Sequence, residues 1–423
     1  MLLVVYLFLF ELNKAPEEEK KENAFPAIEE LKIEEIRLNY PSNPLLTEKE
    51  GGSWYFVKDS RKYKANSNII LSMIDDLRNM KIDKIISEKP GDIIEFGLKD
   101  PRVEVIARTP DKRYRLLIGG EAPVGSGAYI QVGDENKVLL VGKGEVNTFL
   151  DHSENDLRDK QVLALNQENI KGLRFKSNDS SFELSMKDGE WVANGIPEFV
   201  QIDQDRVSAI LTTFINLKID GFEDDEPKNL SAYGLSEPSA EIEMFEDGKS
   251  IRVLFGDKKV NGDYYVKLAS ESTVYSVSKF VFVQIPENVN DIRVRKIIDL
   301  DSDKVSGVEI TEGETNISLI KKGGDWNFED NGSLKANKKQ VDEFLEKVEN
   351  LEVEKFVDDN PKDLTPYELD KPGIRLTISE PDKKITLLFG KREEGKVYLK
   401  LADGKSVYLL GDDILSKIPS KDE

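Results

Sequence analysis

The chain has 423 residues, a net charge of -21 at pH 7, one histidine and no cysteine. Without cysteine it has no disulfides, thiolate metal sites or cysteine nucleophiles, and one histidine leaves little room for histidine-rich metal sites or Ser-His catalysis. The excess of 81 acidic over 60 basic residues repels phosphate backbones, so we do not expect nucleic acid as a partner.

The chain opens with a continuous apolar run, Met1 to Phe10, followed by a Glu-rich and Lys-rich stretch that reaches Glu30. Ten helical residues rise about 15 Å, half the thickness of a bilayer core, so the run cannot span a membrane as written. We interpret residues 1–30 as a truncated membrane anchor and an acidic tether, with a buried N-terminal strand as the alternative. Residues Glu11 to about Glu30 are therefore expected to be exposed.

From about Ile33 onward, one pattern of landmarks occurs three times. Each copy has a turn of the form aromatic-x-Leu-x-x-Pro, which reads Tyr-Gly-Leu-x-x-Pro in the second copy, and, some twenty residues later, a glycine that ends a short apolar strand. The turn leucines, 137 and 134 residues apart, are Leu98, Leu235 and Leu369, and the glycines at the same two intervals are Gly119, Gly256 and Gly390. The spacing predicts three tandem domains, residues 31–165, 166–301 and 302–423.

Each repeat begins with strands that form a tryptophan-containing hairpin, followed by an amphipathic helix. The tryptophans are interpreted as core anchors because the indole ring buries a large area, and they are Trp54, Trp191 and Trp326. In the second copy the helix places Val207, Ile210 and Phe214 on one face. The predicted N-cap residues of the three helices are Asn66, Asp203 and Asn337.

A short helical segment then ends at the turn residue, which is Gly97 or Gly234 in the first two copies. Glycine tolerates a left-handed backbone. The third copy has Glu368 there, which predicts either strain or a turn that is not left-handed. Three or four strands follow, with connections too short for crossover helices, so they should pair antiparallel. The predicted fold class is α+β: three tandem repeats, each a mainly antiparallel β-sheet with one packed amphipathic helix.

Charged segments mark the ends of the repeats and the loops after the helices. Basic residues around Arg158 and from Arg293 to Lys296 lead into the next repeat and are interpreted as joints between domains. Acidic stretches at Asp224–Asp225 and Asp358–Asp359 precede a proline in the second and third copies. We interpret these four carboxylates as solvated loop charges, with a weak cation site as the alternative. Their neutralisation should alter partner binding mildly and leave folding intact.

The sequence predicts no catalytic, cofactor-binding or metal-binding residue. Recurring positions are mainly apolar, aromatic, Gly or Pro, which is typical of a packing scaffold, and His152 lies in a polar stretch between repeats. Residues Asp299–Asp303 resemble the start of a calcium loop, but Lys304 and Ile310 stand where such a loop requires glycine and a carboxylate. A solvated linker is the preferred interpretation, and a weak cation site is the alternative.

Together, the tryptophan hairpin, the Gly-Leu-x-x-Pro turn and the strand series resemble bacterial proteins of the domain of unknown function 4340 family, from about Ile33 to Pro419. The resemblance implies one N-terminal transmembrane helix followed by an extracytoplasmic region. It also implies genes that often lie beside subunits of gliding-motility-type ABC transporters. It supplies no catalytic residues.

These observations lead to two hypotheses about function. The first is a non-enzymatic, membrane-tethered extracytoplasmic binding or scaffold protein, located at the cell membrane, without a cofactor. Its partner would be a protein of an ABC-type transport system or of cell-envelope assembly. The alternative is an envelope enzyme, or a solute- or carbohydrate-binding protein, with a cleft between repeats.

Overall fold

The computed structural model describes residues 21–25, 28, 30–123, 127–177, 180–246, 248–330 and 334–419. The predicted anchor, Met1 to Phe10, lies outside them. The chain forms two compact units, the first reaching Val162 and including Lys218–Phe222, the second holding Leu163–Leu217 and the chain from Glu223. Within the described ranges, every helix is too short or too polar to cross a membrane.

The first unit is built on a nine-stranded antiparallel sheet. Its strands β1 to β9 are, in chain order, Glu35–Asn39, Pro44–Glu50, Ser53–Lys58, Arg61–Lys64, Ile82–Ser87, Val103–Arg108, Arg113–Glu121, Gly127–Val132 and Val138–Gly142. They are ordered β4-β3-β2-β1-β6-β7-β8-β9-β5 across the sheet.

Two further eight-stranded sheets share one topology, and they belong to the second unit except for Gly221 and Phe222 at the start of β13. Strands β10 to β17 are Ile170–Ser177, Ser180–Lys187, Glu190–Ala193, Gly221–Asp224, Ala240–Glu246, Lys249–Lys258, Tyr264–Leu268 and Val274–Val277. Strands β18 to β25 are Gly307–Glu312, Thr315–Lys322, Asp325–Phe328, Lys355–Asp358, Ile374–Ser379, Lys384–Glu393, Lys396–Leu401 and Val407–Gly411. Their orders are β12-β11-β10-β14-β15-β16-β17-β13 and β20-β19-β18-β22-β23-β24-β25-β21.

Among the described residues, three helices have 12 or 13 residues and the other helical segments are shorter. The α-helices α1 to α5 are Ser67–Asn79, Glu154–Leu157, Gln204–Ile215, Lys279–Phe282 and Lys338–Glu349. The 3-10 helices are Glu30–Lys32, Ile94–Phe96, Lys143–Glu145, Asn147–Phe149, Gln167–Asn169, Leu230–Tyr233, Val289–Ile292, Ser302–Lys304, Thr365–Tyr367 and Asp412–Lys417. The apolar faces of α1 and α5 join the cores of their own sheets, as Ile70 and Phe344 illustrate.

The three tryptophans occupy equivalent positions, as the spacing predicts. Each is the second residue of the strand that returns from a hairpin, in β3, β12 and β20, and each is buried. The interpretation of Trp54, Trp191 and Trp326 as core anchors is confirmed.

Glycine is required in each repeat where the turn before the strands meets the sheet. Pairing of β7, β15 and β23 with the next strand shifts register beside Gly119, Gly256 and Gly390, which marks a β-bulge. A Cβ on Gly256 would lie 2.0 Å from the carbonyl oxygen of Tyr233, and the other two glycines meet equivalent carbonyls. Glu368 adopts a left-handed backbone, with φ of 54°, so the third copy carries strain at this turn.

The structure corrects two predictions about exposed segments. Residues near the end of the predicted tether are not exposed, since Ala24, Phe25 and Ile28 are buried in the first core. Burial of these apolar side chains is favourable enough to outweigh the cost of holding the charged residues around them close to the sheet. The segment after each helix is not only a loop, since β5, β13 and β21 are edge strands of their sheets. These strands lack an alternating apolar pattern and form through pairing with a distant strand.

Candidate functional site

A buried arginine, Arg293, connects the second and third sheets inside the second unit. Its guanidinium donates from Nη2 to Oδ1 of Asp359 at 2.7 Å and from Nη1 to Oδ2 at 3.0 Å. Its Cζ lies 3.8 Å from the centroid of the Phe356 ring. The arginine side chain is only 5% exposed. Its buried charge is balanced by the bidentate carboxylate and by the aromatic face.

The backbone around this arginine is fixed on both sides. Arg293 forms a β-bridge with Ile202, before α3, and Lys296 forms one with Glu352, after α5. Ser406 donates its hydroxyl to Asp359 at 3.1 Å and so holds the carboxylate in place. We call Arg293, Phe356, Asp359 and Ser406 the Arg293 joint.

A second buried arginine lies at the equivalent point of the first unit. Arg158, 135 residues before Arg293, is 3% exposed at its side chain and lies 3.9 Å from the ring of Tyr63 and 3.7 Å from the ring of Phe222. Its Nη1 donates to Glu154 at 3.0 Å. The sequence predicts basic joints at these positions, but their burial against aromatic rings was missed. The available signal was the matched spacing of Phe222 and Phe356, 134 residues apart.

The acidic residues after the helices have structural partners. The interpretation of Asp359 as a solvated loop charge is wrong, because its carboxylate binds Arg293. Asp224 accepts a hydrogen bond from the Tyr233 hydroxyl at 2.8 Å, and this bond raises the pKa of the tyrosine. Asp358 accepts from the backbone N–H of Asn360 at 2.9 Å and so shapes a turn.

A recurring polar residue that sequence reasoning missed closes the turn between the last two strands of each meander. Lys267 donates its Nζ to the carbonyls of Leu268, at 2.9 Å, and Glu271. Lys400 makes the matching bonds in the third repeat, and in the first repeat Gln131 donates to a carbonyl of the equivalent turn at 2.7 Å. Burial lowers the pKa of both lysines, which remain hydrogen-bonded to main-chain oxygen.

A groove of about 750 Å³ lies beside the Arg293 joint. Apolar side chains of both repeats line it, together with two lysines. The lining includes Phe199, Val294, Leu401, Tyr408, Lys296 and Lys405. The Lys405 ammonium is 4.8 Å from the centroid of the Phe199 ring, so an aromatic of one repeat contacts a cation of the next.

The single histidine belongs to a hydrogen-bonded loop of the first unit. A ring nitrogen of His152 lies 2.8 Å from the carbonyl oxygen of Thr148, and its backbone N–H donates to the Tyr40 hydroxyl at 3.2 Å. That hydroxyl donates to the carbonyl of Phe149 at 2.8 Å. Burial raises the pKa of Tyr40 to about 12. These hydrogen bonds hold the loop in place.

The calcium-like segment Asp299–Asp303 is occupied by the chain's own lysines. Lys383 binds Asp299 at 2.8 Å and Lys304 binds Asp301 at 2.6 Å, and these hydrogen bonds lower the pKa of both carboxyls. Elsewhere in the described chain, no three Asp, Glu, His or Cys side chains approach closely enough to hold a metal ion.

Comparison with known families matches this architecture to one group. The profile of the domain of unknown function DUF4340 matches residues 54–198, 196–332 and 326–422. The chain belongs to the DUF4340 family. The first two DUF4340 matches continue through the first hairpin of the following sheet, and the third ends at residue 422. The boundaries of the family profile therefore lie about one hairpin after the boundaries of the sheets.

No curated protein matches the chain. Among solved structures, the beta chain of DNA polymerase III from Streptococcus pneumoniae TIGR4 is 8% identical, with 94% of each chain covered and a TM-score of 0.13. A DnaN sliding clamp from Pseudomonas aeruginosa bound to griselimycin is 6% identical, with 94% of this chain and 93% of the clamp covered and a TM-score of 0.12. Similarity at these TM-scores supports no statement about fold or function.

Proposed function

We propose that this DUF4340 protein is a non-enzymatic, membrane-tethered extracytoplasmic binding or scaffold protein that serves an ABC-type transport system or cell-envelope assembly. One observation carries the proposal: the polar groups that recur between repeats have structural roles. The buried arginines Arg158 and Arg293 pack on aromatic rings, and Lys267 and Lys400 close turns. A repeat unit evolved around one reaction would instead keep a set of matched side chains facing a cleft.

We propose that each repeat, residues 31–165, 166–301 and 302–423, is one α+β domain of an antiparallel sheet and one main helix. The three sheets fall within these ranges, which supports the proposal. The Arg293 joint would then fix the second domain to the third, and a rigid pair of domains is a suitable surface for a protein partner.

Proteins that co-purify after gentle membrane extraction test this function. A tagged copy of the chain in its native host should recover transporter subunits or envelope assembly proteins, and an untagged strain is the control. Because the chain carries a net charge of -21, we expect a basic partner surface and weaker binding at higher salt. Turnover of a glycan, peptide or phosphoester by the purified chain, lost on removal of one carboxylate, would refute the scaffold proposal.

A second candidate function is binding of a solute or carbohydrate in the groove beside the Arg293 joint. The groove supports it, because its volume and its mixture of aromatic and polar lining match small-ligand sites. Substitution Phe199→Ala removes the exposed ring and should weaken binding of a soluble glycan in calorimetry, whereas Phe280→Ala, outside the groove, should not. Equal binding by both variants and the parent chain would exclude this function.

A further inference from the structure

Three apolar side chains project from one end of the second sheet. Val260 is fully exposed in the turn between β15 and β16, and Phe280 and Val283 are 70% and 60% exposed at α4. The turn precedes Tyr264 and α4 follows Val277, and these two residues are paired across neighbouring strands. The turn and the helix therefore leave the sheet at the same end. We call Val260, Phe280 and Val283 the apolar tip.

The other two repeats show that the fold does not require these side chains. At the positions of Phe280 and Val283, the first repeat has Gly144 and Asn147, and the third has Asp413 and Ser416. In contrast, Phe282 packs against the sheet, where its ring stacks on Tyr264 with centroids 3.8 Å apart. The third repeat also has an apolar residue at this position, the buried Leu415. The exposed pair is therefore specific to the second repeat, whereas an apolar residue at the position of Phe282 is shared with the third.

The charge around the apolar tip differs from that of the whole chain. Lys258 and Lys279 are exposed beside it, while Lys259 is paired with Glu223 at 2.5 Å. Asp263 lies in the same turn and Asp257 at the end of β15, so the charges beside the tip nearly balance in a chain of net charge -21. At physiological salt, charges more than about 8 Å away are largely screened, so the net negative charge of the rest of the chain does little to repel the tip from an anionic surface.

The size of the apolar tip argues against a second copy of the chain as its occupant. A stable dimer buries roughly 800 Å² on each partner, more than three side chains supply. A bilayer interface needs less, because an aromatic and two aliphatic groups can enter the acyl boundary while flanking lysines reach the headgroups. We propose that the apolar tip inserts into the interface of a membrane with anionic phospholipid, as a weak second contact. This inference rests on the proposed function, because the tip meets a membrane in the cell only if the chain is tethered to one.

The absence of cysteine permits a direct test. A single cysteine at Val260→Cys, labelled with an environment-sensitive dye, should shift its emission to the blue when vesicles of phosphatidylcholine and phosphatidylglycerol are added. The same dye at Asn147→Cys, the position of Val283 in the first repeat, is the control and should not shift.

The double substitution Phe280→Asp and Val283→Ser copies the third repeat, where the fold accepts these residues. It should leave the thermal transition unchanged and raise the lipid concentration needed for half of the Val260→Cys dye shift roughly tenfold or more. The inference is overturned if the dye does not shift while the chain sediments with vesicles. It is also overturned if the double variant shifts as the parent does, or if the tip mediates a concentration-dependent dimer. Each result is independent of transporter co-purification, which tests the scaffold proposal separately.

Discussion

The guanidinium of Arg293 stacks 3.8 Å from the ring of Phe356 and binds both carboxylate oxygens of Asp359. The arginine follows the second sheet, and its two partners belong to the edge strand of the third sheet and the residues after it. A desolvated cation is stable only while its counter-charge is present, so the second and third repeats depend on each other through this contact.

The first prediction follows from that dependence. Asp359→Asn keeps the shape of the side chain but removes the counter-charge of a buried arginine, and we expect it to lower the free energy of unfolding by about 3 kcal/mol. Urea denaturation followed by circular dichroism measures the change. Asp358→Asn is the matched control, since Asp358 accepts a turn hydrogen bond from Asn360, and its effect should stay below about 1 kcal/mol. Equal effects of the two substitutions would contradict the role of the Arg293 joint.

The repeat architecture could be predicted because its signals are local and occur three times. Tryptophan after a hairpin turn, a helix with one apolar face and a glycine at a bulge each reflect a steric or burial requirement within a few residues. Such patterns occur singly by chance in many sequences, but Trp54, Trp191 and Trp326 recur at near-constant spacing, which chance does not explain. The sequence could not decide whether Glu368 is strained or the turn is not left-handed. A non-glycine residue can adopt a left-handed backbone, at a cost of about 1 kcal/mol, when the surrounding structure imposes it, so only the structure distinguishes the two.

The groups at the joints could not be predicted in the same way. Arg293 and Asp359 are 66 residues apart, and neither residue type distinguishes a buried pair from two solvated charges. Edge strands such as β21 are set by pairing with a strand some fifty residues away, which no local pattern encodes. The burial of Phe25 similarly depends on Tyr114, whose ring it contacts edge-on at 6.2 Å between centroids.

The second prediction concerns the bulge glycine of the second repeat. Gly256→Ala places a Cβ 2.0 Å from the carbonyl oxygen of Tyr233, a backbone atom that cannot move without breaking the turn. We expect a loss of about 3 kcal/mol in the free energy of unfolding, at the upper end for overpacking. Gly307→Ala is the control, since its nearest neighbour would lie 3.6 Å away, and it should change stability by less than about 0.5 kcal/mol. A tolerated Gly256→Ala would disprove the close approach.

The third prediction compares two helix N-caps that the sequence treats as equal. The carboxylate of Asp203 accepts a hydrogen bond from the backbone N–H of Arg206 at 2.9 Å, so Asp203→Ala should cost about 1 kcal/mol. The side chain of Asn66 makes no such bond at the start of α1 within the described structure, and Asn66→Ala should cost clearly less. Thermal unfolding of the two variants provides the comparison, and a larger loss for Asn66→Ala would contradict it.

The fourth prediction is a pH dependence that arises from Tyr40. Burial raises the pKa of its hydroxyl to about 12 in the folded chain, whereas an unfolded tyrosine ionises near pH 10. The neutral hydroxyl is therefore favoured by folding, and its contribution is complete below about pH 10 and is lost as the pH rises towards 12. The loss should approach about 1.4 kcal/mol for each pH unit in that window.

The variant Tyr40→Phe tests this dependence because phenylalanine cannot ionise. At pH 7 it should be less stable than the parent chain, since it lacks the hydrogen bond to the Phe149 carbonyl. Above pH 10 this difference in stability should disappear. Urea midpoints of both chains between pH 7 and 11 measure the difference. If that difference stays constant across the range, Tyr40 does not titrate with a raised pKa.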